Sequence, residues 1–246
     1  MADKIDIKIE GVVPKNSIIF EGFQGIGLVA TLAAQYIADK TNAKIIGYIS
    51  SSAFPPMALL VNGEIKNPMV VYHFKRGGQN YLIFESELPI PHKIVNDLAE
   101  AIAVFAKQNK VKQIICLEGI AAQHAPTESK VFAFATSKFL DKKLSGKVPI
   151  LQNGIIVGVS AALMTHAKML GIPSICFIAE AHSDFPDGLA AASLLKKVNS
   201  IFEFNIDVSS LEKESQKFEN QLMSVIDKAK NITESEVKSP GKVYIG

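Results

Sequence analysis

Ser17-Ile-Ile-Phe20, then Gly22-Phe-Gln-Gly25-Ile-Gly27, then a stretch from Gly27 to Asp39 with apolar residues spaced by three and four, read as a buried strand, a glycine turn and a helix. The same unit recurs along the chain. Lys44 to Ser50, Val111 to Leu117, Val148 to Leu151 and Pro173 to Ala179 are short, rich in Ile and Val, and apolar on consecutive positions, as strands covered on both faces must be. Ile94 to Asn109, Ile156 to Leu170 and Gly188 to Ile201 carry the helical spacing. The alternation predicts an α/β domain with a mainly parallel sheet flanked by helices.

Residues 57 to 87 interrupt this pattern. Asn62-Gly63 is a strong hairpin dipeptide, and Val70 to Phe74 and Tyr81 to Phe84 flank Arg76-Gly77-Gly78-Gln79. An antiparallel excursion is expected there, either capping the sheet or contacting another copy. From Val208 to Ile232 apolar residues fall as heptads, with Val208, Ser215, Leu222 and Ala229 in one row and Leu211, Phe218, Val225 and Ile232 in the other. That spacing predicts a long amphipathic helix whose seam packs on the parent domain or on a neighbour. Beyond Ile232 the chain turns polar and breaker-rich, then apolar again at Val243-Tyr244-Ile245 before Gly246. The expected organisation is an α/β domain over 1–207, the helix over 208–232 and a flexible tail with an apolar tip over 233–246.

Composition narrows the function. With 246 residues, 48% hydrophobic and 20% charged, the chain is rich enough in apolar side chains to build a sizeable core, which excludes disorder throughout. Net charge is +2 and Arg76 is the only arginine. A nucleic-acid reader, which leans on bidentate arginine and a basic face, is excluded on this ground. Met1 to Glu10 alternates charged and apolar residues with no signal-peptide core, so a cytoplasmic location is expected. The longest charge-free run, Val148 to Ala167, is broken by Pro149, Gln152, Asn153, Gly154, Gly158 and Ser160, so it is not read as a membrane span. Cys116 and Cys176 sit in apolar strand-like runs and are read as buried thiols.

The chemistry-bearing motifs are weak. Gly22 to Gly27 has the spacing GxxGxG rather than GxGxxG, and the second strand ends Ile49-Ser-Ser-Ser52 with no acid for a ribose. Close helix-to-strand packing or a tight turn explains these glycines better than a nucleotide, and no cofactor is expected. Ser160 lies within a helical run and reads as structural, and His166 on the same helix as partly buried. His182-Ser-Asp184-Phe-Pro-Asp187 follows a strand, with Asp187 placed to cap the helix opening at Gly188. Glu118-Gly119 ends another strand, and His124 follows, without triad or metal-ligand spacing.

Taken together, Gly22-Phe-Gln-Gly-Ile-Gly-Leu-Val-Ala30, Glu118-Gly-Ile120, Asn153-Gly-Ile-Ile-Val-Gly-Val-Ser160 and Phe185-Pro-Asp-Gly-Leu-Ala-Ala-Ala192 resemble the proteasome assembly chaperone 2 family, particularly its archaeal members, over residues 5 to 211. The chain departs from the family at Gln24 and Gly188, where proline is more frequent. The resemblance implies a three-layer domain similar to nucleoside-phosphorylase-like folds but without their catalytic apparatus, assembled into homo-oligomeric rings. It also implies a non-enzymatic chaperone that binds proteasome α subunits and assists core-particle assembly. Family tails carry a hydrophobic-Tyr-any tripeptide that enters pockets between α subunits. Val243-Tyr244-Ile245 matches it, with Gly246 following, so Val243, Tyr244, Ile245 and Gly246 are the expected partner-binding residues. The alternative is a phosphorylase-like enzyme or small-ligand sensor using Gly22 to Gly27, Glu118, His182, Asp184 and Asp187.

Overall fold

A strand that is apolar at successive positions, as at Ile18, Ile19 and Phe20, must be covered on both sides, and in the computed structural model β2 (Ile18–Gly22) is buried at all five of its residues, Glu21 included. The structure describes residues 5–122, 129–137, 140, 142, 144–183, 185–211, 213 and 224. Ile18 and Phe20 point into one apolar cluster and Ile19 into the other. Helices α1 (Val29–Lys40) and α4 (Gly188–Phe202) close the first face, and α2 (Val95–Gln108) and α3 (Val159–Met169) the second. Helix α2 shows why: Leu98, Ala99, Ile102, Ala103 and Ala106 are buried and fall on one side of the helix. Each large aliphatic or aromatic side chain removed from water contributes about 1.5–3 kcal/mol.

The remaining strands are β1 (Ile5–Ile9), β3 (Lys44–Ser51), β4 (Leu59–Val61), β5 (Glu64–Lys66), β6 (Met69–Arg76), β7 (Gln79–Ser86), β8 (Gln113–Ala121), β9 (Val131–Ala135) and β10 (Ser174–Ala181). Eight strands form one sheet in the order β1-β3-β6-β7-β2-β8-β10-β9, and β4 and β5 form a separate pair. The expected parallel arrangement holds for the central strands β7, β2, β8 and β10. The outer pairings are antiparallel, so the sheet as a whole is mixed.

Four expectations need correction, the first being Lys44 to Ser50: β3 is not covered on both faces, with Ile45 52% exposed, and it pairs antiparallel with β1 and β6. The β6–β7 hairpin is no excursion: β7 pairs with β2 inside the main sheet, and only β4–β5, turning at Asn62-Gly63, stands apart. Val148 to Leu151 is no strand but a single bridge from Ile150 to Ala133. Pro149, which has no N–H, limits the ladder to the bonds flanking it, Ala133 N–H to its carbonyl and Leu151 N–H to the Ala133 carbonyl. Strands β1 and β9 were not expected. Strand β1 alternates apolar and polar residues because only one face of this edge strand is covered.

After α4 the chain is stapled to the domain before it leaves. Phe204 packs edge-on against Phe20, Phe74 and Tyr81, with ring centroids 5.4, 5.7 and 4.7 Å away. The Tyr36 hydroxyl donates to the Asp207 carbonyl at 2.7 Å, and the Asn199 side chain bonds both the N–H and the carbonyl of Ile206. Val208, the first residue of the expected C-terminal helix, lies in this non-helical linker, and Leu211 is helical. Both residues join the core cluster under α1 and α4. The rest of 212–232, apart from Lys213 and Ser224, lies outside the described residues.

Phe204→Ala empties the centre of this aromatic cluster. It should cost about 3–5 kcal/mol in urea unfolding and speed amide exchange at Ile206 and Leu211. An unchanged unfolding midpoint would show that the linker is held elsewhere.

Candidate functional site

Strands β2 and β8 are parallel neighbours whose onward connections leave in opposite directions along the sheet, from β2 through α1 to β3 and from β8 to β9 and β10. In open α/β sheets that divergence leaves a crevice where ligands bind. A cleft of about 280 Å³ lies there, lined by Glu21, Phe23 to Ile26, Glu118 to Ile120 and Ile155 to Val159. Its interior is acidic. Its surroundings are apolar and open to solvent, with Ile155 91% and Val157 79% exposed.

The glycines build this crevice by letting backbone approach backbone. A Cβ on Gly25 would strike the Glu118 carboxylate, and one on Gly119 the Ile26 carbonyl. Gly27 adopts φ +60°, and a Cβ there would lie 2.8 Å from the His182 carbonyl. The reading of Gly22 to Gly27 as a close-packing turn therefore holds.

Glu21 is 1% exposed and extends from β2 toward the N-terminal turn of α3. Its Oε2 accepts from the Ser160 hydroxyl at 2.7 Å and its Oε1 from the Phe23 N–H at 3.1 Å. Glu118 Oε1 accepts from the Gly119 N–H at 3.0 Å. Burial pushes the Glu21 carboxyl up to about 8 and the Glu118 carboxylate adds to the rise, while Ser160 and the Phe23 N–H oppose it. Burial likewise pushes Glu118 up to about 7, against the Gly119 N–H and Ser160. Among the described residues no lysine or arginine forms an ion pair with either carboxyl. Both carboxyls are thus biased toward the protonated form, and the Glu118 charge couples to Glu21. Burial also raises the thiols of Cys116 and Cys176, which are free and sit side by side on β8 and β10. On the opposite sheet face Glu85 accepts from Gln35 at 3.1 Å, and burial, then Glu87, push it up to about 8.

The other expected site residues divide. His182 Nδ1 lies 2.7 Å from Asp187 Oδ2, which also accepts from the His182 N–H at 3.0 Å. Asp187 Oδ1 accepts from the Ala190 N–H at 2.9 Å, so the expected helix cap is present. This pair packs behind Gly27 and does not line the cleft. His166 bonds Asn96 at 3.1 Å across α3 and α2. The expected cluster of Gly22 to Gly27, Glu118, His182, Asp184 and Asp187 is therefore not one site among the described residues, since Phe23 to Ile26 and Glu118 line the cleft while His182 and Asp187 pack behind Gly27. Asp184, His124 and the tail residues Val243 to Gly246 lie outside the described residues. Among the described residues no group of three His, Cys, Asp or Glu could hold a metal, and no helix is long and apolar enough to cross a membrane.

Sequence reading missed Glu21 and Glu85. Each is a lone acid directly after an apolar run, Ser17 to Phe20 and Tyr81 to Phe84, and the strands were closed one residue too early to include them. An acid directly after a fully apolar run marks a candidate, but the pattern is the same when the carboxyl faces water.

A pair protonated more readily when folded ties stability to pH. Because Glu21 and Glu118 bind protons more tightly when folded, the stability they contribute is fully present below about 4.5, the unfolded value, and is lost as pH rises through about 7 to 8. Glu21→Gln should flatten that fall and raise Tm at pH 8.5, by roughly 2–4 °C for each kcal/mol recovered, with little change at pH 4.5. Melting curves of both proteins across that range check it, and parallel curves would refute it.

Comparison with known proteins agrees with this architecture. The crystal structure of Pyrococcus furiosus PbaA, described as an archaeal homolog of proteasome-assembly chaperone, superposes with a TM-score of 0.82 at 29% identity, covering 92% of this chain and 100% of that one. Pyrococcus furiosus PbaB, described as an archaeal proteasome activator, shares the fold at a TM-score of 0.77 and 24% identity, over 92% of this chain and 99% of that one. An uncharacterized protein of Methanocaldococcus jannaschii is 28% identical over 213 residues, 87% of either chain. The PAC2 family model matches residues 19–226, a span that takes in the glycine turn, both cleft carboxylates and the stapled linker, and the chain belongs to the PAC2 family.

Proposed function

We propose that this chain is a non-enzymatic chaperone that binds proteasome α subunits and assists core-particle assembly, acting as a homo-oligomer that displays C-terminal tails. The observation that carries this reading is the match to the PAC2 family together with the close structural likeness to PbaA. The chemistry of the cleft is compatible with it. Ser160 is 1% exposed and donates to Glu21, so its oxygen is turned inward rather than offered to a substrate. Kinship with phosphorylase-like folds belongs to the same proposal.

Under this reading residues 233–246 are the contact. Burying Val243, Tyr244 and Ile245 gains about 1.5–3 kcal/mol each, against roughly 4–15 kcal/mol for association and ordering. One tail binds weakly, and several on one oligomer reinforce each other by about 10²–10⁴. The linker from Phe204 to Leu211 supports such a display, because it anchors the chain to the domain ahead of the tail.

The second reading, a small-ligand sensor or enzyme, is favoured by one observation only, the 280 Å³ cleft with its carboxyl pair. The two are separable by experiment. Titration of purified α-subunit rings with the intact chain, Tyr244→Ala and a chain lacking 233–246 should show binding that falls steeply in both variants. Equal affinity for all three would refute tail docking. Glu118→Gln and Ser160→Ala should leave ring binding intact and abolish no turnover of nucleosides or esters; an activity lost in either would put the cleft first.

A further inference from the structure

The β4–β5 hairpin is unusual in having no sheet to belong to. Among the described residues its two three-residue strands pair only with each other, Leu60 opposite Ile65, Val61 opposite Glu64 and Leu59 opposite Lys66. Asn62 (φ 53°) and Gly63 (φ 83°) form the tight two-residue turn between them. All three residues of β5 are exposed, and Leu60 and Ile65, on one face, are 73% and 79% accessible. A two-stranded sheet alone in water is marginally stable, and three or more strands with an apolar face are the usual requirement.

The free edge of β5 carries its own complement. In a two-residue hairpin the pair flanking the turn exchanges hydrogen bonds and the next pair does not, so the Ile65 N–H and C=O point away from β4. No backbone bond outside the hairpin reaches Ile65 among the described residues. The strand reads Glu64-Ile65-Lys66. Turned by a two-fold axis through Ile65, it meets itself antiparallel, with Ile65 opposite Ile65, Glu64 opposite Lys66 and Lys66 opposite Glu64. The outward N–H and C=O of each Ile65 are then in the positions that exchange hydrogen bonds. The result is a four-stranded sheet, β4-β5-β5-β4, with Leu60 and Ile65 of both copies in one apolar stripe and two opposite-charge pairs on the other face.

We propose that β5 is a self-association edge, and that its occupant is β5 of a second copy of this chain, paired antiparallel about Ile65. The contact is isologous and closes at two copies. A ring formed through another face would be joined by it to a second ring. This inference rests on the homo-oligomer of the proposed function but not on tail docking.

Reversing one charge turns both attractive pairs repulsive. Glu64→Lys sets lysine against Lys66 at both positions, and Lys66→Glu sets glutamate against Glu64. Lys66 also lies near Glu87, whose carboxyl it holds down against the effect of burial, so Lys66→Glu alone could act within one subunit. Mixing removes that ambiguity, since the two variants are complementary only across the contact. The full-length chain, each variant and their equimolar mixture are to be compared by sedimentation velocity. The expected result is an assembly whose mass halves in either variant, with self-association weakened roughly ten- to a hundredfold, and returns in the mixture. Variants with the parent mass would overturn this contact while leaving the oligomer standing, and would assign the charges to keeping the edge apart. Loss of mass without recovery on mixing would overturn the β5–β5 register. A parent chain that sediments at 26.6 kDa would overturn both the contact and the oligomer.

Discussion

The loop from Phe23 to Leu28 enters helix α1 through a gap that no side chain could share. Gly119 on β8 lies against the Ile26 carbonyl, Gly25 lies against the Glu118 carboxylate, and Gly27 lies under the turn of His182 to Asp187. Each contact replaces a side chain with backbone, and together they bring three successive elements of the central sheet to one corner. The first turn of α1 buries Val29 and Ala30 there because the loop is pressed flat. Asp187 donates its own N–H to the Gly27 carbonyl while capping α4, so the loop also fixes where the fourth helix begins. A methyl group at Gly119 or Gly27 would meet backbone and push the loop from β8 or from the cap, whereas one at Gly25 would displace the Glu118 carboxylate.

The same close approach produces the buried acids. Pressing the loop onto β8 buries Glu21 and leaves Glu118 half-buried, and no lysine or arginine among the described residues forms an ion pair with either. Such surroundings disfavour the ionised carboxylate and push both groups up. Ser160, in the first turn of α3, donates to Glu21 and thereby ties the second helical layer to the central strand. Polar burial of this kind specifies one arrangement of the layers, whereas apolar contacts alone would tolerate several.

Around this rigid corner the molecule presents surfaces of two kinds. The cleft mouth and the β4–β5 hairpin expose large apolar residues, Ile155, Val157, Leu60 and Ile65, beyond what a core requires. The segment after α4 is instead drawn tightly onto the domain by Phe204, Tyr36 and Asn199. The proposed chaperone function would draw on both, a fixed point of departure for the tail and faces on which copies can meet.

The apolar runs and helical spacings determined the α/β class, helices α1 to α4 and the central strands β2, β8 and β10, because the strands are buried on both faces, the helices on one, and each pattern is local. The glycine spacing pointed to close packing, and Asp187 to a cap, for the same reason: each is a constraint the backbone imposes within a few residues. Edge strand β1 was missed because its alternation, with one face covered, looks like an ordinary charged terminus. The place of β6 and β7 in the middle of the sheet was decided by which strand β7 meets in space, and a hairpin turn carries no information about that. The meeting of Glu21 with Ser160, 139 residues apart, could be decided only by the tertiary structure. A single acid after an apolar run has the same sequence signature whether its carboxyl faces water or, as here, another layer of the protein.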